Sequence, residues 1–124
     1  MDDIKLLVID YKSIIPVYEQ IKQFFKLQIL NGHISANEKI TSVREMAKLT
    51  KVNQNTIVKS YYQLEQEGFI YSKPGRGYFV KEVVENKESE KLELLNYMTK
   101  EYLEKVLEMG FSVDDVLTLM EKLK

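Results

Sequence analysis

Cysteine is absent from the 124 residues, which excludes disulfides and any thiolate-ligated metal. Histidine occurs once, and His33, next to Gly32 at a helix end, reads as a C-terminal cap without a second imidazole or thiolate to complete a metal site. Serine and histidine find no third member for a nucleophilic triad, no glycine-rich loop precedes a helix to cradle phosphate, and the clustered glutamates read as solvated helix faces. The expectation is therefore a protein that is not an enzyme and needs no cofactor. Long apolar runs are missing as well. Acids come early at the N-terminus and the stretch Leu6–Ile9 is too short for a signal-peptide core or a membrane span, so the expected location is the cytoplasm, without a membrane partner.

What is present suits one domain with an appendage: 44% hydrophobic residues supply a core and 30% charged residues a soluble surface. The formal net charge of -1 conceals an asymmetry. Residues 1–39 balance to zero. Residues 40–81 carry seven Lys/Arg against three Glu, a surplus of +4, and residues 82–124 carry six Lys against eleven acids, a deficit of -5. A basic middle segment is a hint of nucleic acid, though a solvated basic face accounts for it equally well.

Helical spacing begins at Pro16, suited to a first turn where its missing N–H costs nothing, and runs through Val17, Ile21, Phe24, Phe25 and Leu30 to the stop at Asn31-Gly32. Ser42 and Glu45 have the spacing of a capping box. Val43, Met46, Ala47 and Leu49 form the expected buried side of the helix they open. After the short connection Thr50-Lys51-Val52, Asn53 is the next N-cap, Ile57, Tyr61 and Leu64 the core stripe, and Gly68 the left-handed stop. Most of the eight tyrosines, Tyr61 among them, fall at core spacing.

Beyond Gly68 the period falls from 3.6 to 2. Residues 69–72 read as a strand, Lys73-Pro74-Gly75-Arg76-Gly77 as a turn and residues 78–80 as the returning strand. Such a hairpin is marginal alone and should lean on the helices. The whole reads as mainly α with a small β-hairpin: a winged helix-turn-helix over residues 1–82, then a helical tail over 83–124. The tail's stripe of Leu92, Leu95, Tyr102, Leu103, Val106 and Met109, with Val113, Val116, Leu117, Met120 and Leu123 after the Ser112 cap, exceeds what two helices can hide, so it packs either on the first domain or on a second copy. Because residues 1–82 already read as complete, a two-helix dimerisation hairpin is the expectation.

Asn53, Gln54, Asn55 and Thr56 crowd four hydrogen-bonding side chains into one turn, whereas capping requires only one. At the start of the second helix of a helix-turn-helix such side chains reach base edges in the major groove. Amides suit adenine, because they donate and accept together. Arg44 can span a guanine edge; Lys51 and Lys59, with Lys48, are placed for phosphate. Lys73 and Arg76 sit at the hairpin tip, where Gly75 and Gly77 supply turn geometry and also permit close approach to a backbone. The alternative reading is a winged-helix protein-interaction module in which this face docks a protein. A small-molecule effector between tail and wing domain is a third, with no polar constellation to name its ligand.

The stretches IPVYEQIKQFFKLQILNG, ITSVREMAKLTKVNQNTIVKSYYQLEQEGFI and GRGYFV, together covering residues 14–81 almost without gaps, resemble the winged helix-turn-helix of the GntR family of bacterial transcription regulators. The short tail resembles the YtrA-like subfamily, which lacks a large effector domain. The resemblance implies a homodimeric repressor of a palindromic double-stranded DNA operator, with Ser42 as helix cap and Arg44 as the base-reading arginine. It places the recognition tip at residues 53–56 and the wing glycine at Gly75 or Gly77. Thr41 stands where the family usually has proline, which is expected to loosen the helix entry, and Gln54 where many members have arginine. Tyr78 replaces a common threonine.

Overall fold

The computed structural model describes residues 3–82 and 84–124, without the side chains of Asp3 and Lys5. A short 3-10 turn, Asp3–Leu6, precedes α1 (Val17–Leu30), α2 (Val43–Thr50) and α3 (Gln54–Gln66); β1 (Ile70–Lys73) and β2 (Gly77–Val80) follow, then α4 (Lys87–Glu108) and α5 (Val113–Leu123). By contact the chain divides into two compact units, Met1–Glu88 and Ser89–Lys124.

In the first unit α1 and α2 both pack against α3. Ile21, Phe25, Met46, Ile57, Tyr61, Leu64 and Phe69 are fully buried, so the stripe expected on α3 is the centre of the core. Aromatic edges link the layers: Phe25 meets Tyr61 with ring centroids 5.5 Å apart, and Tyr61 meets Tyr78 of β2 at 5.2 Å, both T-shaped. On α1 the buried set is wider than the apolar stripe and includes Gln20, Lys22, Lys26 and Gln28, while Phe24 and Val17 are only partly covered. Pro16 is the N-cap rather than the first helical residue, its carbonyl accepting from the N–H groups of Glu19 and Gln20.

The polar burials have partners. Lys22 donates to Gln63 (3.0 Å) and pairs with Glu67 (2.9 Å) and Glu19 (3.0 Å), and Lys26 also bonds Glu67, which ties the end of α3 to α1. Burial alone would push the Glu67 carboxyl up, but the two ammonium groups hold it below its ordinary value. Burial likewise works to lower Lys22, and bonding to Glu67 and Glu19 raises it on balance. The Gln20 side chain accepts from the Asp10 N–H (2.9 Å) and donates to the carbonyls of Asp10 (2.9 Å) and Ile15 (2.8 Å), pinning the N-terminal segment to α1.

α3 ends in a Schellman motif: the Phe69 N–H reaches the Leu64 carbonyl (2.9 Å) and the Gly68 N–H that of Glu65 (3.1 Å), with Gly68 at φ 84. β1 pairs antiparallel with β2 in the register Ile70↔Val80 to Lys73↔Gly77. The hairpin has further support that the period did not announce. Residues 37–40 run along its other edge, with Asn37 N–H bonded to the Val80 carbonyl, Val80 N–H to that of Glu38, and Ile40 N–H to that of Tyr78.

In the second unit Leu94 and Val116 are buried, whereas Leu92, Leu95, Met98, Tyr102, Leu117 and Met120 are exposed. Leu103 and Val106 are partly covered, and packing between α4 and α5 is sparse. The reciprocal capping box forms here, Ser112 Oγ accepting from Asp115 N–H (3.1 Å) and Asp115 accepting from Ser112 N–H (2.8 Å).

Candidate nucleic-acid interface

α2 opens on Ser42, whose hydroxyl accepts from the Glu45 N–H (3.1 Å). That is one half of the capping box expected there. No reciprocal bond from Glu45 forms, and the carboxylate is left to interact with the helix terminus. At this helix entry the Tyr61 hydroxyl, buried in the core, donates to the Thr41 carbonyl. Burial, and secondarily Tyr78, push the Tyr61 phenol far above its ordinary value, so it remains a donor.

Lys51, in the left-handed conformation (φ 58, ψ 32), turns the chain from α2 into α3, and Val52 beside it is buried as the anchor of the turn. Asn53 caps α3 by accepting from the Asn55 N–H (2.8 Å). Its amide oxygen is thereby committed, which makes it the structural member of the tip. Gln54 and Asn55 are exposed, and their side chains bond to none of the described residues. Thr56 is half-buried. Arg44, on the exposed side of α2, also has no partner among the described residues, and Lys48 and Lys51 are exposed at the turn.

Two expectations about this face need correction. Leu49 is exposed rather than on the buried side of α2, because the short helix buries only Met46 fully and its last turn faces the N-terminal segment across an open depression lined by Ile4, Leu7, Ile9, Tyr11 and Thr50. Tyrosines are also not mainly core residues: Tyr11, Tyr62 and Tyr102 are exposed, and Tyr62 follows the buried Tyr61 one residue further round α3. Lys59 is exposed, but its ammonium lies over the Tyr18 ring of α1, 3.8 Å from the centroid, which places it at the α1 edge of the face.

At the wing, Pro74 and Gly75 (φ 73) occupy the centre of a turn closed by Arg76 N–H to the Lys73 carbonyl (2.9 Å), the geometry of a type II turn. Arg76 is exposed at the tip, whereas Lys73 is drawn over the Phe79 ring at 4.7 Å. Gly77 has φ 111, and a Cβ there would come within 3.0 Å of Lys39 Cε. Lys39 is thus a wing cation that the sequence pattern did not reveal. The one signal for it was the alternation of exposed Lys39 with buried Ile40.

An amide-tipped second helix, a capped first helix presenting an arginine, and a hairpin with a cationic tip define a DNA-binding winged helix-turn-helix. Comparison with known proteins agrees. The profile of bacterial regulatory proteins, gntR family, matches residues 17–80. The HTH-type transcriptional repressor YtrA of Bacillus subtilis (strain 168) is 42% identical over 77 residues, 62% of this chain and 59% of that relative's length. YtrA from Sulfolobus acidocaldarius, a GntR-family transcription factor, superposes with a TM-score of 0.59 at 29% identity and covers 94% of each chain. AraR(DBD) in complex with operator ORX1 superposes with a TM-score of 0.55 at 29% identity over 60% of this chain and 95% of that one. The chain belongs to the gntR family of bacterial regulatory proteins, and is a DNA-binding transcription regulator. No helix among the described residues is long and apolar enough to cross a membrane.

Proposed function

We propose that the protein is a cytoplasmic transcriptional repressor that binds a two-fold-symmetric operator as a homodimer, with residues 1–82 contacting DNA and residues 83–124 joining the subunits. The observation that carries the DNA half is the tip of α3: Gln54 and Asn55 are solvent-facing amides whose side chains bond to none of the described residues, on a helix whose opposite side is fixed to α1 and α2. Arg44 reads a neighbouring base, while Lys48, Lys51 and Arg76 take phosphate. Repression follows the relatives, one of which is named a repressor.

Self-association is supported by the tail. Leu92, Leu95 and Tyr102 of α4, with Leu117 and Met120 of α5, leave an apolar surface that α4 and α5 do not bury against each other. Large exposed apolar surfaces mark interaction sites. Val116, by contrast, is buried within the subunit and is not part of that surface.

Titrating the protein against its own upstream promoter fragment and a scrambled duplex tests the reading. Preferential binding that weakens linearly in log–log salt plots is the expected result. Equal affinity for both fragments at every salt concentration would favour the protein-interaction module.

A further inference from the structure

α3 presents its buried face through Ile57, Ser60, Tyr61 and Leu64. Its outer face carries Gln54, Asn55, Val58, Lys59, Tyr62 and Gln66, all exposed. The one charged group there, Lys59, has its ammonium on the Tyr18 ring. The rest is neutral: amides, a tyrosine and a branched aliphatic side chain.

Val58 is 47% exposed in the middle of this helix. It stands four residues from Gln54 and three from Asn55, so it is their surface neighbour one turn on. A β-branched residue at such a position gains nothing from helix propensity and, when exposed, little from packing. Elsewhere a lone exposed valine would require no account. Here it adjoins two amides without a partner among the described residues. In the major groove an adenine offers an acceptor and a donor side by side, which an amide matches, and its thymine partner offers a methyl group; a G·C pair has no methyl.

Resting on the DNA-binding reading above, we infer that Val58 is a specificity-determining residue, its methyl groups packing on the 5-methyl of a thymine in the A·T step read by Gln54 and Asn55. Each half-site then contains a thymine recognised by its methyl group rather than by a hydrogen bond. Arg44 on α2 supplies the guanine contact, and the two helices divide the half-site by chemistry.

The test begins with half-sites selected from random-sequence duplex by the wild-type protein. Each thymine is then replaced in turn by deoxyuridine, which removes only the methyl, and binding is measured for the wild type and for Val58→Ala. Alanine favours the helix, and an unchanged melting curve shows that the variant is folded. At one thymine per half-site, deoxyuridine should weaken the wild type about fourfold, the effect of one methyl removed from apolar contact. Val58→Ala should bind the thymine-containing site more weakly by a similar factor and be indifferent to deoxyuridine at that position. If Val58→Ala retains the wild-type response at every thymine, the inference is overturned. Selection that enriches no sequence would instead overturn the DNA-binding reading on which it rests.

Discussion

The hydroxyl of Tyr61, at the centre of the core, donates to the carbonyl oxygen of Thr41, the residue immediately before the Ser42 cap. This bond couples the packed side of α3 to the first turn of α2, which carries Arg44. It ties the helix entry to the core. The first turn of α2, which carries Arg44, is thereby tied to a residue on α3.

Replacing Tyr61 with Phe retains the ring and leaves the Thr41 carbonyl without its donor. A loss of about 1–2 kcal/mol in unfolding free energy is expected. Urea denaturation measures it, and an unchanged midpoint and slope would show that the bond contributes nothing to stability.

Arg44→Ala should cost about 1–3 kcal/mol of binding to the operator and leave binding to scrambled duplex nearly unchanged. Fluorescence anisotropy on both duplexes separates the alternatives: an equal loss on both would make Arg44 a phosphate contact instead of a base reader.

Glu67 is the shared acceptor of Lys22 and Lys26, and its carboxyl lies below the ordinary value of 4.5. A depressed carboxylate stabilises the fold above that value, and this contribution is lost as pH falls through the lower folded-state value. Glu67→Gln should reduce stability at neutral pH by about 1–3 kcal/mol, allowing for partial exposure. It should also flatten the acid limb of the stability profile. Lys22, raised above 10.5, contributes in the opposite window: fully below 10.5, and lost as pH rises through its higher folded-state value. Parallel acid limbs for wild type and variant would remove Glu67 from the account.

Much of this architecture is visible in the residues because two periods and three stops are. Ile57, Tyr61 and Leu64 recur at helical spacing and are fully buried, and the change to period 2 after Gly68 marks the hairpin to within a residue. Asn53 and Ser42 cap the helices at the expected positions. What was not visible depends on contacts between distant parts of the chain. Lys22 and Lys26 are buried because Glu67, at the far end of another helix, receives them, and helical period carries no record of that partner. The pairing of residues 37–40 with β2 rests on backbone bonds, which any residue other than proline can make, so Lys39 reaches the wing without a motif.

Leu95→Asp places a charge on the exposed face of α4. The variant should remain folded, because Leu95 lies outside the buried set, and should sediment as a monomer that binds a half-site weakly. Sedimentation velocity at micromolar concentration decides: a variant that stays dimeric would move the interface off this face.

The account as a whole depends on the tip of α3 entering the major groove, and Asn55→Ala examines this most directly. Asn55 is exposed and its side chain has no partner among the described residues, so the variant should melt as the wild type does. The quantity to measure is the ratio of affinities for the selected operator and a scrambled duplex at one salt concentration. The free-energy difference corresponding to that ratio should shrink by about 1–3 kcal/mol, with the scrambled-duplex affinity unaltered. A ratio equal to that of the wild type would mean that the amide tip does not read DNA.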